Sequence, residues 1–125
     1  LHDANPGGLS TRISERIERG RQVRALDYNR AVAARDAFNR ALDDIFKGFD
    51  AIVTPATTGE APAGLESTGD PAFNTLWTFC GVPAVSLPLL EGHAGLPLGV
   101  QLVGASGDDA RLLRNANWLI EKLAG

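Results

Sequence analysis

Three sets of residues in this sequence have types and spacings that could do chemistry. Ser86 could be a nucleophile, but it lies inside an apolar run, and the nearest titratable base, His93, stands across a turn. A serine hydrogen-bonded within a buried strand is the simpler reading. Cys80, the only cysteine, could supply a thiolate with His93 as its base, which would require that turn to fold back over the preceding helix. A packed core cysteine and an exposed turn histidine are simpler. Asp108 and Asp109 could ligate a cation, yet they open a helical pattern, where a carboxylate ordinarily caps free N–H groups. A single cysteine excludes a disulfide framework, and two histidines without a second cysteine do not match the usual zinc spacings, so no metal or cofactor is expected.

The elements that must position these residues follow from periodicity. The chain has 125 residues, 44% of them hydrophobic, which suits one domain burying about two thirds of its unfolded surface. We expect a flexible lead-in over 1–9 and a single α/β domain over 10–125. Ser10 or Thr11 caps a first helix ending near Gly20. A second runs from Ala25 to Lys47, with Ala31, Ala34, Phe38, Leu42, Ile45 and Phe49 as its buried stripe. Phe49 to Pro55 reads as a strand buried on both sides, and 56–71 as a loop of a length that is either functional or disordered. Asp70 caps a short helix from Pro71 to about Phe79. Ala84–Leu90 and Leu98–Gly104 form an antiparallel hairpin, because their connection is too short for a parallel crossover. The last helix follows Asp108, with Leu112, Leu113, Ala116, Leu119, Ile120 and Leu123 inward. The expected architecture is helices packed on a three-strand sheet with open edges.

Charge bears on partners. Net charge is −3, with net +2 over 1–47 and net −5 over 48–125. The arginines of the first half alternate with acids. Glu15 and Arg19, Asp36 and Arg40, and Asp43 and Lys47 stand at i,i+4 spacing, the pattern of a solvated helix face rather than a nucleic-acid surface. No apolar run reaches the ~20 residues of a membrane span, so neither nucleic acid nor membrane is expected as a partner. A cytoplasmic location fits the cysteine usage. Without any methionine, and beginning Leu-His-Asp, the chain is expected to be part of something longer.

Five segments in order carry a resemblance: Asp50-Ala-Ile-Val-Thr-Pro55; Gly69-Asp-Pro-Ala-Phe-Asn-Thr-Leu-Trp-Thr-Phe-Cys-Gly-Val-Pro83; Ser86-Leu-Pro88; Gly95-Leu-Pro-Leu-Gly-Val-Gln-Leu-Val-Gly104; and Asp108-Asp-Ala-Arg-Leu-Leu113. They resemble the C-terminal third of an amidase signature family enzyme, and the helix up to Phe49 resembles the family's preceding helix. Thr78 stands where many members carry asparagine. The resemblance implies the C-terminal part of an α/β/α sandwich with a small mixed sheet that includes the hairpin. It also implies hydrolysis of a carboxamide, or amide-nitrogen transfer, by a serine activated through a second serine and a lysine. The family's Gly-Gly-Ser-Ser-Gly-Gly segment is absent here, and Lys47 and Lys122 do not match the catalytic lysine, so no catalytic residue is assigned.

What the resemblance implies for this segment is one wall of the acyl pocket, with Thr57, Asp70, Phe73, Asn74, Trp77 and Thr78 as candidates for contact with a small-molecule amide substrate. Phe73 and Trp77, at i,i+4, have core packing as their alternative, and buried Gln101 is expected to tie its strand to a neighbouring loop. The chain alone is expected to be inactive and to self-associate through an exposed sheet edge or apolar face. The competing reading is a stand-alone interaction module that keeps the scaffold without the chemistry.

Overall fold

A computed structural model describes residues 6–123, and the expected lead-in lies outside them at residues 1–5. Contacts divide the chain within a helix into two units, residues through Ala34 and residues from Arg35 onward.

In the first unit, Pro6–Gly8 form a 3-10 turn, and Thr11–Arg21 form helix α1. Ser10 precedes α1 with extended backbone, but its hydroxyl makes no capping bond; its carbonyl accepts from the Ile13 and Ser14 N–H groups. No residue of α1 is buried. The ion pairs observed here fall at i,i+3: Glu18 with Arg21, and Asp27 with both Arg24 and Arg30.

The second unit contains the rest of helix α2 (Ala25–Phe46) and everything after it. The expected α2 stripe is exposed at most positions. Leu42 is buried, while Phe38, Ile45 and Phe49 are open to solvent. Periodicity identifies the apolar face of a helix without specifying what covers it. Phe38 still meets Phe79 edge to face, at 6.3 Å between centroids. Lys47 pairs with Asp44 rather than with Asp43.

Strands β1 (Ile52–Pro55), β2 (Ala84–Glu91) and β3 (Pro97–Val103) form a sheet in the order β1-β3-β2. β1 and β2 run the same way, but β3 lies between them, so both ladders are antiparallel. The expected hairpin is β2 with β3. Its register shifts between Leu87 and Leu90, leaving one extra residue on β2 beside Pro88, which has no N–H to give the ladder. β1 is shorter than its apolar run and is not buried on both sides: Val53 is 62% exposed. Its described ladder is to β3 alone, and the helix that covers the sheet packs on β2 and β3 instead.

That helix is α4 (Asp109–Leu123). It follows Asp108 as expected, and the Asp108 carbonyl accepts from the Leu112 N–H. Leu112 and Ala116 join Leu87 and Leu102 in the core, with Val85, Leu89 and Leu119 against it. Each buried leucine is worth about 2 kcal/mol. Leu113, Ile120 and Leu123 face outward instead, since the sheet beneath α4 accommodates only one side of its stripe. The close approach needs Gly104, where a Cβ would stand 3.1 Å from the Leu112 Cβ.

The opposite face of β3 carries Gln101 and Val103, both buried. On this side lies α3, which is Thr75–Cys80 rather than a helix from Pro71. Residues 72–74 make a turn first, with the Pro71 carbonyl accepting from the N–H groups of Asn74 and Thr75. α3 stops at Gly81, whose φ of 71° is the left-handed conformation glycine tolerates best.

Candidate functional site

The site grows from the point where β1 ends. Pro55 cannot donate to a ladder, but Ala56 can, and its N–H reaches the Gly99 carbonyl at 2.9 Å. This one further bond keeps the chain against β3, and Ala56 is buried. Gly99 leaves the necessary room: a Cβ there would lie 2.8 Å from the Ala56 Cβ and would overlap Ser86 Oγ.

The wall is then fixed by a chain of side-chain bonds across three elements. Thr54 Oγ1 on β1 donates to Gln101 Oε1 on β3 at 3.2 Å, and Gln101 Nε2 donates to Asn74 Oδ1 at 2.7 Å. Asn74 Nδ2 completes the chain by donating to the Ala56 carbonyl at 3.1 Å. Every polar atom of the buried Gln101 amide group thus has a partner, as an interior amide requires. Sequence reasoning anticipated the tie for Gln101 and missed Thr54; the signal was register, since Thr54 and Ser86 flank Gln101 on the two ladders.

Two adjoining cavities open against this wall. One, of about 510 Å³, is lined by Thr57, Thr58, Phe73, Leu90, Leu98 and Val100 among others, and is mostly apolar. The other, of about 450 Å³, is lined by Thr57, Thr58, Glu60, Asp70, Ser86 and Gly99 among others, and is more polar. Thr57 borders both, with its hydroxyl donating to the Gly59 carbonyl. Phe73 belongs to the first and Asp70 to the second. Asp70 Oδ1 also accepts from the Ala72 N–H at 2.9 Å, so the carboxylate shapes the turn before α3.

The remaining candidates stand elsewhere. Asn74 has its oxygen and its nitrogen engaged by the Gln101–Ala56 chain. Half-buried Trp77 and exposed Thr78 lie on α3 and line neither cavity. Ser86 is exposed, not buried: it sits on the face of β2 turned from α4, at the mouth of the polar cavity. Cys80 is buried, as a core cysteine should be, and His93 is exposed in the hairpin turn. Among the described residues no group of three or more His, Cys, Asp or Glu side chains is arranged to hold a metal ion, and no helix is long and apolar enough to cross a membrane.

A small antiparallel sheet with α4 on one face and the Asn74 turn on the other, bordered by a polar and an apolar cavity, defines an α/β scaffold. The Amidase family model matches residues 3–113, and the chain belongs to the amidase signature family. The chain is 38% identical over 107 residues to a glutamyl-tRNA(Gln) amidotransferase subunit of Cereibacter sphaeroides strain ATCC 17025, and 38% identical over 104 residues to the protein of that name from Anaeromyxobacter dehalogenans. These alignments cover 78% and 77% of this chain but only 22% and 21% of those proteins. A crystal structure of an amidase superposes with a TM-score of 0.79 at 29% identity, over 97% of this chain and 30% of that one. A further likeness, in fold alone, is to the glutamyl-tRNA(Gln) amidotransferase subunit of the same name from Thermotoga maritima, with a TM-score of 0.57 at 24% identity over 90% of this chain and 27% of that one.

Proposed function

We propose that the chain is the C-terminal segment of a serine amidohydrolase that cleaves a carboxamide carbon–nitrogen bond, and that it supplies one wall of the pocket for a small-molecule amide. The observation that carries this reading is the wall itself. Thr57 stands between an apolar and a polar cavity, on a loop whose first carbonyl is fixed by Asn74. An amide substrate has that division, an acyl chain that seeks apolar cover and a polar group that needs hydrogen bonds. Phe73 belongs with the acyl part; Thr57, Thr58 and Asp70 belong with the polar end. Asn74 acts through the wall, and Trp77 and Thr78 are left to contacts that the two cavities do not include.

The nucleophile, its partner serine and the lysine are assigned to residues outside these 125, in a cytoplasmic enzyme needing no cofactor. Ammonia release from a series of carboxamides tests this: none is expected from the 125-residue chain alone. In the product of the whole reading frame, Phe73→Ala should raise KM most for the longest acyl chains. Equal effects on short and long acyl chains would remove Phe73 from the pocket.

The relatives named for amidotransferase activity favour a second reading, in which the amide nitrogen is passed to an acceptor rather than released. Ammonia appearing only as a leak in the presence of an acceptor would select it.

A further inference from the structure

The loop over 56–71 is held at its start by Asn74, but a second contact holds its middle. Glu60 Oε1 accepts from the Ala94 N–H at 2.8 Å and the Leu96 N–H at 3.2 Å. These are two backbone donors of the β2–β3 turn, more than thirty residues away in the chain. The turn is otherwise closed by its own bonds, Gly92 N–H to the Leu96 carbonyl and Gly95 N–H to the Gly92 carbonyl. The carboxylate therefore takes donors that the turn leaves over.

The approach has a matched partner in the turn. A Cβ at Gly92 would overlap Cγ, Cδ and Oε1 of Glu60. Glycine at 92 and a carboxylate at 60 thus form one contact, and Glu60 also lines the polar cavity beside Thr57 and Asp70.

We propose that Glu60 is a positioning residue: its carboxylate fastens the loop bearing Thr57 and Thr58 to the hairpin turn and so sets the width of the polar cavity. The fastening depends only on the geometry above; its effect on substrate rests on the amidohydrolase reading. A carboxylate binding two N–H groups makes charge-assisted bonds, roughly twice as strong as neutral ones. A neutral amide in its place keeps the geometry with weaker bonds, whereas alanine removes them.

The test uses the full chain and reads the two sides of the contact separately by NMR. Glu60→Ala should speed amide exchange at Ala94 and Leu96 by about tenfold. It should also lower the order parameters of Thr57, Thr58 and Gly59 from the rigid range toward ~0.6 or below. Glu60→Gln should fall between, and Gly92→Ala should free the loop with the carboxylate intact. The double variant Glu60→Ala/Gly92→Ala should be no worse than either single one, because both break the same contact.

The amides of Leu102 and Val103 report the rest of the sheet and should stay protected. If Glu60→Ala exposes them too, Glu60→Gln and Gly92→Ala decide, and general unfolding in all three overturns the proposal. So does faster exchange in the turn with a loop that stays ordered, since the carboxylate would then only satisfy the turn. In the product of the whole reading frame, Glu60→Ala should raise KM several-fold for the amide and spare kcat. If the loop is freed but KM is unchanged, the fastening stands and the pocket reading fails.

Discussion

Replacing Gln101 with leucine removes the middle of the chain of bonds that joins β1, β3 and the Asn74 turn. Gln101 is 5% exposed, so water cannot stand in for its partners. Its two bonds, from Thr54 Oγ1 and to Asn74 Oδ1, are worth about 1 kcal/mol each net of the water they displaced. The Asn74 oxygen then loses its donor, which adds about 1 kcal/mol or more, because the desolvation of an orphaned group is no longer offset. Leucine is close in size to glutamine and returns part of this through apolar contact, leaving an expected loss of about 2–3 kcal/mol. Urea unfolding followed by Trp fluorescence should show a lower midpoint at unchanged slope. Asn74→Ala breaks the same chain from the other side, so the double variant should fall short of the sum of the singles by at least ~0.5 kcal/mol. A Gln101→Leu variant within about 0.5 kcal/mol of the parent, or strict additivity with Asn74→Ala, would mean that Gln101 does not tie β1, β3 and the Asn74 turn together.

Other expectations rest on separate parts of the second unit. Gly99→Ala should cost roughly 1–3 kcal/mol, since the new methyl meets the Ala56 Cβ, fixed to the backbone, at 2.8 Å as well as Ser86; a variant as stable as the parent would mean that the wall is not closely packed there. Leu102→Ala should cost about 2–5 kcal/mol by opening a cavity between the sheet and α4, measured by the same urea titration. At the end of α2, the hydrogen bond from Lys47 and its charge hold the Asp44 carboxyl below its ordinary 3.8, and the same pairing with Asp44 holds the Lys47 ammonium above 10.5. Asp44 therefore contributes stability above pH 3.8 that is lost as pH falls through its lowered value, and Lys47 contributes stability below 10.5 that is lost as pH rises through its raised value. Asp44→Asn should return the Lys47 titration, followed by NMR, toward 10.5, and an unmoved titration would remove the pair. With Val53, Trp118, Phe38 and Phe49 open to solvent, the isolated chain should also show a mass that rises with concentration in light scattering; a constant monomer mass would count against self-association.

Local pattern made the helices, the hairpin and the start of α4 after Asp108 legible, because caps, breakers and 3.6-residue spacing are encoded within a few residues of one another. It misjudged what depends on neighbours. Phe38, Ile45, Leu113 and Ile120 sit on apolar stripes that the described residues do not fully cover, and Val53 lies on an edge because β3 inserts between β1 and β2. At the site, Gln101 was legible as a polar residue in an apolar strand; Thr57 and Asp70, expected at the pocket through family resemblance, line the polar cavity. Glu60 was not legible, since a carboxylate that binds backbone N–H groups across more than thirty residues leaves no local signature. Asn74, expected at the substrate wall, has its amide oxygen and nitrogen both engaged in the bonds that hold that wall together.

The coding DNA upstream of the Leu1 codon distinguishes the pocket-bearing segment of a serine amidohydrolase from a stand-alone module. For the amidohydrolase we expect an open frame continuing upstream and encoding a lysine and a Gly-Gly-Ser-Ser-Gly-Gly segment. A start codon immediately upstream, with no such segment, would rule out the amidohydrolase and favour the non-catalytic interaction module.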